Sequence, residues 1–287
     1  MINLSYILTT FNKLDYLKVT LPYLIEACQE DEEIVVVDGG STDGTVDFLE
    51  QLKSENKIHQ FISEKDYGEA HGTNKAMLLA TGELIKIITD DDAFHFQNIN
   101  RCKEFMLSNN TIDVLGSNGY YFNPSISTQP EWVQMDSFFL TWKANRKPFL
   151  FSGLSLMVRR SSLSLLGLLD TNFMIVDFEY TLRITSGKAH VAWFAGATFL
   201  NIINPQSNSN KYLKRLKAEK KKLLKFYQLD ENHWKENYFT VRSFVSVSAR
   251  KILGIKQKGF TAFDYPTIFY SANKLMEANF SKTNFYR

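Results

Sequence analysis

Apolar positions along this chain alternate between short solid runs and longer stretches where they recur every three or four residues. Residues 4–9, 33–38, 58–63 and 84–88 are solid runs, rich in Ile and Val and bounded by glycine or polar positions. Runs of that kind predict buried strands. Between them, Leu17, Leu21, Leu24, Ile25 and Cys28 keep helical spacing, as do Val46, Phe48, Leu49 and Leu52. Pro22 lies inside the first of these helices and is expected to kink or restart it. A third helix is expected to open at Asn74-Lys75, after a polar loop over 64–72, and to close at Gly82. The order β-α-β-α-β-α-β predicts an α/β fold whose central sheet is mainly parallel, with right-handed crossovers.

Beyond residue 90 the pattern is less regular. Residues 98–107 read as a helix and 114–116 as a strand. Residues 118–148, rich in Tyr, Phe, Trp, Ser and Pro, read as irregular hairpins and a loop lining a pocket, although Trp132 and Trp142 suit the core equally well. Strand character resumes over 149–159, and Gly167 ends a short helix begun at Ser161-Ser162. A turn at 169–173 leads into a helix over 174–184, on which Glu179 and Arg183 are spaced to pair. Residues 191–203 read as a further strand.

Chemistry concentrates where strands end. The apolar run 84–88 stops abruptly at Asp90-Asp91-Asp92. Three adjacent acids repel one another, and burying them unpaired is costly. A hard divalent cation, Mn2+ or Mg2+, would remove both objections, whereas a solvated acidic turn is the plain alternative. The run 33–38 likewise ends at Asp38, followed by Gly39-Gly40-Ser41-Thr42-Asp43-Gly44. The glycines allow a tight turn and close approach of a ligand, and Ser41 or Thr42 is placed to cap the next helix. In open α/β sheets that edge is where ligands bind. Asp177, near the start of the 174–184 helix, is placed to face such a cleft, or simply to complement the helix dipole. Neither Gly-x-Gly-x-x-Gly after the first strand nor a P-loop is present, which argues against dinucleotide oxidoreductases and P-loop enzymes.

Charge divides the chain. Residues 1–204 carry 16 Lys/Arg against 25 Asp/Glu, and residues 205–287 carry 17 against 6. That contrast predicts a body over 1–204 and a basic, aromatic-rich helical region over 205–287. The helix expected at 211–227 reads either as a peripheral membrane contact or as an ordinary solvated helix packed by one face. Cys28 and Cys102 suit buried free thiols in a reducing compartment. No signal peptide and no spanning segment is read from the sequence, so a cytoplasmic location, peripheral on the inner membrane face, is expected.

Taken together, these blocks resemble the family 2 glycosyltransferases of GT-A, Rossmann-like fold over about residues 2–200. Thr10-Phe11-Asn12 resembles that family's opening Thr-Tyr-Asn. The segment from Val36 to Thr45 resembles its nucleotide-binding turn, and Ser63 to Glu83 its next block. Asp90-Asp91-Asp92 matches its Asp-x-Asp motif, and Asp177 to Arg183 resembles its acceptor-side helix. Gly39, Val176, Ala76 and the Glu69-Ala70-His71 loop depart from the family pattern. The resemblance implies an inverting, metal-dependent sugar transfer. The donor would be a nucleotide-diphosphate sugar, UDP-sugar favoured, and the acceptor a hydroxyl of a glycan or lipid-linked glycan; nucleic acid is not an expected partner. It further implies Asp177 as catalytic base, Asp92 with Asp90 as metal ligands, and Thr9, Phe11, Asp38, Asp66, Asn74, Lys75, Asp90 and Asp91 around the donor. A sugar nucleotidyltransferase and a non-catalytic sugar-binding module are the rivals. The first lacks its basic glycine-rich loop in Thr9-Thr10-Phe11-Asn12-Lys13, and the second leaves Asp177 unexplained.

Overall fold

A computed structural model describes residues 1–125, 127–204, 212–230, 264–278 and 284–287. The first half follows the expected alternation: β1 (Leu4–Thr10), α1 (Leu14–Ala27), β2 (Glu32–Asp38), α2 (Thr45–Ser54), β3 (Gln60–Ser63), α3 (Glu69–Leu79) and β4 (Leu84–Ile88). Next come β5 (Ala93–Phe94), α4 (Phe96–Leu107), β6 (Val114–Phe122), β7 (Glu131–Val133) and α5 (Asp136–Asn145). A 3-10 turn (Gly153–Ser155) leads to β8 (Met157–Arg159), α6 (Leu163–Leu166), α7 (Val176–Ser186) and β9 (Val191–Ile202). The described C-terminal elements are α8 (Leu213–Phe226), α9 (Tyr265–Ala278) and β10 (Phe285–Tyr286).

One sheet runs through the molecule in the order β10-β9-β6-β8-β4-β1-β2-β3. The half from β4 to β3 is parallel, with Thr10 level with Asp38 and Leu8 level with Ile88. Beyond β4 the sheet is mixed: β8 is antiparallel to both β4 and β6, and β9 returns parallel to β6. Strand alternation sends Tyr6, Leu8, Ile34, Val36, Leu84 and Ile88 to one face, under α1, α2 and α4. Ile7, Val35, Val37 and Ile85 go to the other, under α3, α5 and α7. Both faces are therefore covered, as a parallel sheet requires.

Several sequence expectations are corrected locally. Pro22 sits inside an unbroken α1. The third helix opens at Glu69 rather than at Asn74, so Asn74 and Lys75 are mid-helix. Gly82 is not its C-terminal residue; a Cβ there would lie 2.7 Å from the Ser5 nitrogen, so glycine is needed for close approach to β1. Neither Ser41 nor Thr42 caps α2. Its cap position is Gly44 at φ +93°, and Asp43 accepts from the Thr45 N–H at 3.1 Å. Much of the stretch 118–148 is regular: β6 continues to Phe122 and α5 packs Phe139 and Trp142 into the core. Trp142 donates to the Thr185 carbonyl at 2.7 Å, a core role, while Trp132 lies half-buried edge-on to Tyr120.

The described parts of 205–287 are built onto the body. Leu223 and Leu224 of α8 pack with Leu150, Ile175 and Leu182. Tyr265, Phe269 and Met276 of α9 pack with Tyr16, Ala93 and Leu200. β10 extends the sheet antiparallel to β9. The expectations for residues 231–263, 279–283 and the linker 205–211 lie outside the described residues. Among the described residues no helix is long and apolar enough to cross a membrane.

Candidate active site

The carboxyl ends of β1, β2 and β4 meet along one edge, and short side chains lock the loops that leave them. Gly39 N–H donates to the Thr10 carbonyl at 2.9 Å, and the Asn12 amide oxygen accepts from Thr42 N–H at 2.8 Å. Asn12 holds φ +51°, the left-handed region that asparagine tolerates. Asp43 accepts from Leu14 N–H at 3.0 Å as well as from Thr45, so the starts of α1 and α2 share one carboxylate. Phe11 stands out of this rim, 57% exposed, an aromatic face with no core to fill. Thr9 lies behind it, its hydroxyl 3.4 Å from that of Thr73.

Asp38 is fully buried and spends its carboxylate on its own turn. It accepts from Gly40 N–H at 2.9 Å, Ser41 N–H at 2.8 Å and the Ser63 hydroxyl at 2.7 Å, with the Ser41 hydroxyl on its other oxygen. Its place in this structure is to shape the Gly39-Gly40 turn. Asp66 is half-buried against that turn: a Cβ on Gly39 would lie 2.8 Å from its Oδ2, and one on Gly72 would lie 3.1 Å away. The two glycines therefore make room for this carboxylate, which also accepts from Gly68 N–H at 2.9 Å. Asn74 spends both ends of its amide on Leu169, donating at 2.9 Å and accepting at 2.8 Å, and so brackets α3 to the turn before α7. Lys75 pairs with Glu64 at 2.7 Å.

The acid triplet divides. Asp92 turns inward, 4% exposed. Its Oδ1 accepts from Ile202 N–H at 2.7 Å and the Asn201 amide at 3.0 Å, and its Oδ2 from the Thr89 hydroxyl at 2.6 Å. These bonds tie Asp92, the residue expected to hold a metal, to the end of β4 and to β9. Asp90 and Asp91 remain at the edge, with side chains 13% and 16% exposed. Asp90 accepts from the Thr10 hydroxyl at 2.9 Å, and Asp91 pairs with Lys13 at 2.7 Å and accepts from Asn204 at 2.9 Å. Burial, then the neighbouring Asp91, pushes the Asp90 carboxyl well above its ordinary range. Burial pushes Lys13 down, but Asp91 and Asp90 more than offset it and hold the ammonium above its ordinary value.

Crowded carboxylate oxygens suit Mn2+ or Mg2+. Among the described residues no group of three His, Cys, Asp or Glu side chains converges on a metal position. Asp90 and Asp91 are the two carboxylates of the triplet left at the edge, a pair whose chemistry would suit a small cation completed by phosphates and water.

Asp177 occupies the first turn of α7, half-buried, and its Oδ2 accepts from the Gly153 N–H at 3.3 Å. Burial pushes it up to about 6, with that bond opposing the rise. Glu179 and Arg183 do pair, at 2.8 Å. Two features hold α7 in place from outside: Thr185 and Thr181 reach the backbone of Phe149 and Phe151, and Glu219 of α8 accepts from Met174 N–H at 2.7 Å. Glu69, at the start of α3, links the two acidic groups. The protein packed around it, then the charges of Asp177, Asp90 and Asp91, raise its carboxyl, although solvent reaches the side chain and screens part of that effect. Its electrostatic neighbours thus include both acidic groups. Glu69 was not singled out from sequence as part of the site, because it lay in what read as a polar loop. An acid three residues ahead of a glycine and an alanine-rich helical run was the available signal.

Comparison with known proteins gives the family and the fold. The profile described as Glycosyl transferase family 2 matches residues 5–166. A putative teichuronic acid biosynthesis glycosyltransferase of Bacillus subtilis, TuaG, is 32% identical over 104 residues, 36% of this chain and 41% of its own length. The chain thus spans less than half of that relative. Staphylococcus aureus TarS 1-349, solved in complex with UDP-GlcNAc, superposes at TM-score 0.57 and 17% identity, covering 96% of this chain and 83% of that one. The mannosyltransferase PcManGT of Pyrobaculum calidifontis, solved in complex with GDP-Man and Mn2+, superposes at TM-score 0.55 and 15% identity, covering 96% and 84%. The fold is GT-A-like, and with a family profile running from β1 to α6 the chain belongs to glycosyl transferase family 2.

Proposed function

We propose that the protein transfers a sugar from a nucleotide-diphosphate donor to a hydroxyl of a glycan or lipid-linked glycan, with inversion. The observation that carries this reading is that Asp90 and Asp91 crowd together at the carboxyl edge of the sheet while Asp177 stands half-buried at the start of α7 with one N–H on its carboxylate. The solved neighbours bound to UDP-GlcNAc and GDP-Man support a nucleotide sugar as donor, and the teichuronic acid biosynthesis glycosyltransferase TuaG supports a glycan acceptor.

In this reading Phe11 offers its open face to the base, and Thr9 and the turn held by Asp38 and Asp66 form the floor beneath it. Asp90 and Asp91 would hold Mn2+ or Mg2+, which when bound supplies positive charge against the departing diphosphate. Lys13, paired to Asp91, stands at the same edge with a charge of the same sign. Asp177 takes the proton from the acceptor hydroxyl, a task suited to a carboxyl held at about 6. Backside attack by that oxygen on the anomeric carbon breaks the bond to the diphosphate and inverts the centre in one step. Asn74 and Lys75, given donor roles by the resemblance, act here through the scaffold.

The region 205–287 is proposed as an extension of the body, and the exposed lysines of α8, with Phe226 76% exposed beside them, support peripheral contact with an anionic surface. Incubation with a panel of nucleotide sugars and glycan acceptors, scoring released diphosphate and transferred sugar, tests the reading. Release of pyrophosphate with formation of a nucleotide sugar would instead identify a nucleotidyltransferase, and donor binding with no turnover a binding module.

A further inference from the structure

A lysine stands in the middle of the central parallel strand β4. Lys86 is 1% exposed and forms no ion pair among the described residues. Its ammonium donates to the carbonyl of Leu154 and, at 3.2 Å, to that of Leu156; the Phe94 ring lies 5.6 Å away. Burial pushes it down to about 7, with Cys102 of α4 the one nearby group that raises it. An apolar residue would fill this position at no electrostatic cost, so the sheet tolerates an expensive side chain in order to hold two carbonyls.

The first carbonyl lies within the 3-10 turn Gly153–Ser155 and the second belongs to the residue that closes it. The same turn gives its Gly153 N–H to Asp177 at 3.3 Å. It also packs on that side chain so closely that a Cβ on Gly153 would lie 2.9 Å from the Asp177 Cβ. One short turn is thus bonded to Lys86 at its carbonyls and to Asp177 at its amide. The segment before it, 149–152, is neither strand nor helix and is tied to α7 through Thr181 and Thr185. Without the ammonium, the Leu154 and Leu156 carbonyls would be left unpaired under the sheet and the turn would rotate to satisfy them.

We propose that Lys86 is a positioning residue for sugar transfer: by gripping the Leu154 and Leu156 carbonyls it aims the Gly153 amide at Asp177 and fixes that carboxylate at the acceptor. The inference rests on the reading of Asp177 as the base. The titratable group within electrostatic reach of Asp177 is Glu69 on α3; Glu179, two residues along α7, points elsewhere and pairs with Arg183. The bond from Gly153 N–H is the route by which a change at Lys86 reaches Asp177.

The test compares Lys86→Met, which keeps length and loses the donor, with Lys86→Gln, which keeps an N–H donor group on a shorter, neutral side chain. Sugar transfer is followed against pH, together with donor KM and the melting shift caused by UDP. Lys86→Met should lower kcat about tenfold or more, since small misplacements of a catalytic group are costly. Donor KM and the UDP shift should stay within about twofold, because the donor edge is untouched. The acidic limb of kcat should move upward by about half a pH unit, since the lost amide bond is one that favours the carboxylate. Lys86→Gln should recover much of both changes. If Lys86→Met does not fold, Lys86→Leu, which also loses the donor, is read through the same limb. A kcat within twofold of wild type in the folded donor-less variant overturns the proposal, as does a loss of kcat with the limb unmoved. Asp177→Asn run in parallel separates the failures: full activity there removes the base itself, whereas inactivity there with an unaffected Lys86 variant removes only the role of Lys86.

Discussion

Asp177→Asn should make the protein less active and more stable at the same time, and the second effect can be sized. Burial lifts the carboxyl from its ordinary 3.8 to about 6, so the fold favours its neutral form. The stability this contributes is complete below the unfolded value and is lost as pH rises through about 6. Asparagine is neutral throughout and still accepts from the Gly153 N–H, so it keeps what the carboxylate gives up. Converted at about 1.4 kcal/mol per pH unit, the difference is at most about 3 kcal/mol. Partial solvent access at Asp177 reduces it to about 1–2 kcal/mol, or a few degrees in melting temperature. The gain should be near zero at pH 4, grow towards pH 6 and level off above pH 7, all about these values. Turnover should meanwhile fall by about 10²–10⁴, the usual worth of a general base. Urea unfolding of both proteins at several pH values, beside transfer assays, reads the two effects. A variant equally stabilised at acidic and alkaline pH, or destabilised at pH 8, would show that the charge is not held at a cost. Full turnover would show that it is not the base.

In the wild type, kcat measured against pH should decline below about 6 as Asp177 takes up its proton. Asp90→Ala and Asp91→Ala should each abolish the extra melting shift that Mn2+ or Mg2+ adds to UDP, and chelation with EDTA should do the same in wild type. Asp92→Ala should keep that shift but lose about 2–4 kcal/mol of stability, read by urea unfolding, because it strands the Thr89, Asn201 and Ile202 donors. Gly39→Ala places a methyl 2.8 Å from Asp66 Oδ2, so the carboxylate must move. UDP affinity by calorimetry should fall about tenfold while stability drops only by about 1 kcal/mol.

How much of this was legible follows from how local each signal is. β1 to β4 and the helices between them were readable because a strand buried on both faces has to be a solid apolar run and a covering helix has to be amphipathic. Gly39 was readable as a close-approach glycine, though not that Asp66 is what approaches. α5 was hidden because its buried positions, Phe139 and Trp142, belong to an aromatic-rich stretch whose composition says pocket and core with equal force. Asn74 and Lys75 drew donor roles from the family resemblance alone. Only the fold reveals that Leu169, 95 residues away, takes the whole Asn74 amide.

The acid triplet sharpens that distinction. Composition says that three carboxylates end a buried strand; it cannot say which of them looks outward. That is decided by β9, whose Asn201 and Ile202 arrive 109 and 110 residues later and draw Asp92 beneath the edge. It is decided equally by Asn204 and Lys13, which hold Asp91 in the open beside Asp90. Burial, with Asp91 beside them, pushes both Asp90 and Asp92 up, to about 7 and about 8. Charge crowding therefore does not separate them; bonding does, since Asp92 spends its oxygens on Thr89, Asn201 and Ile202 while Asp90 and Asp91 stay at the edge beside Lys13.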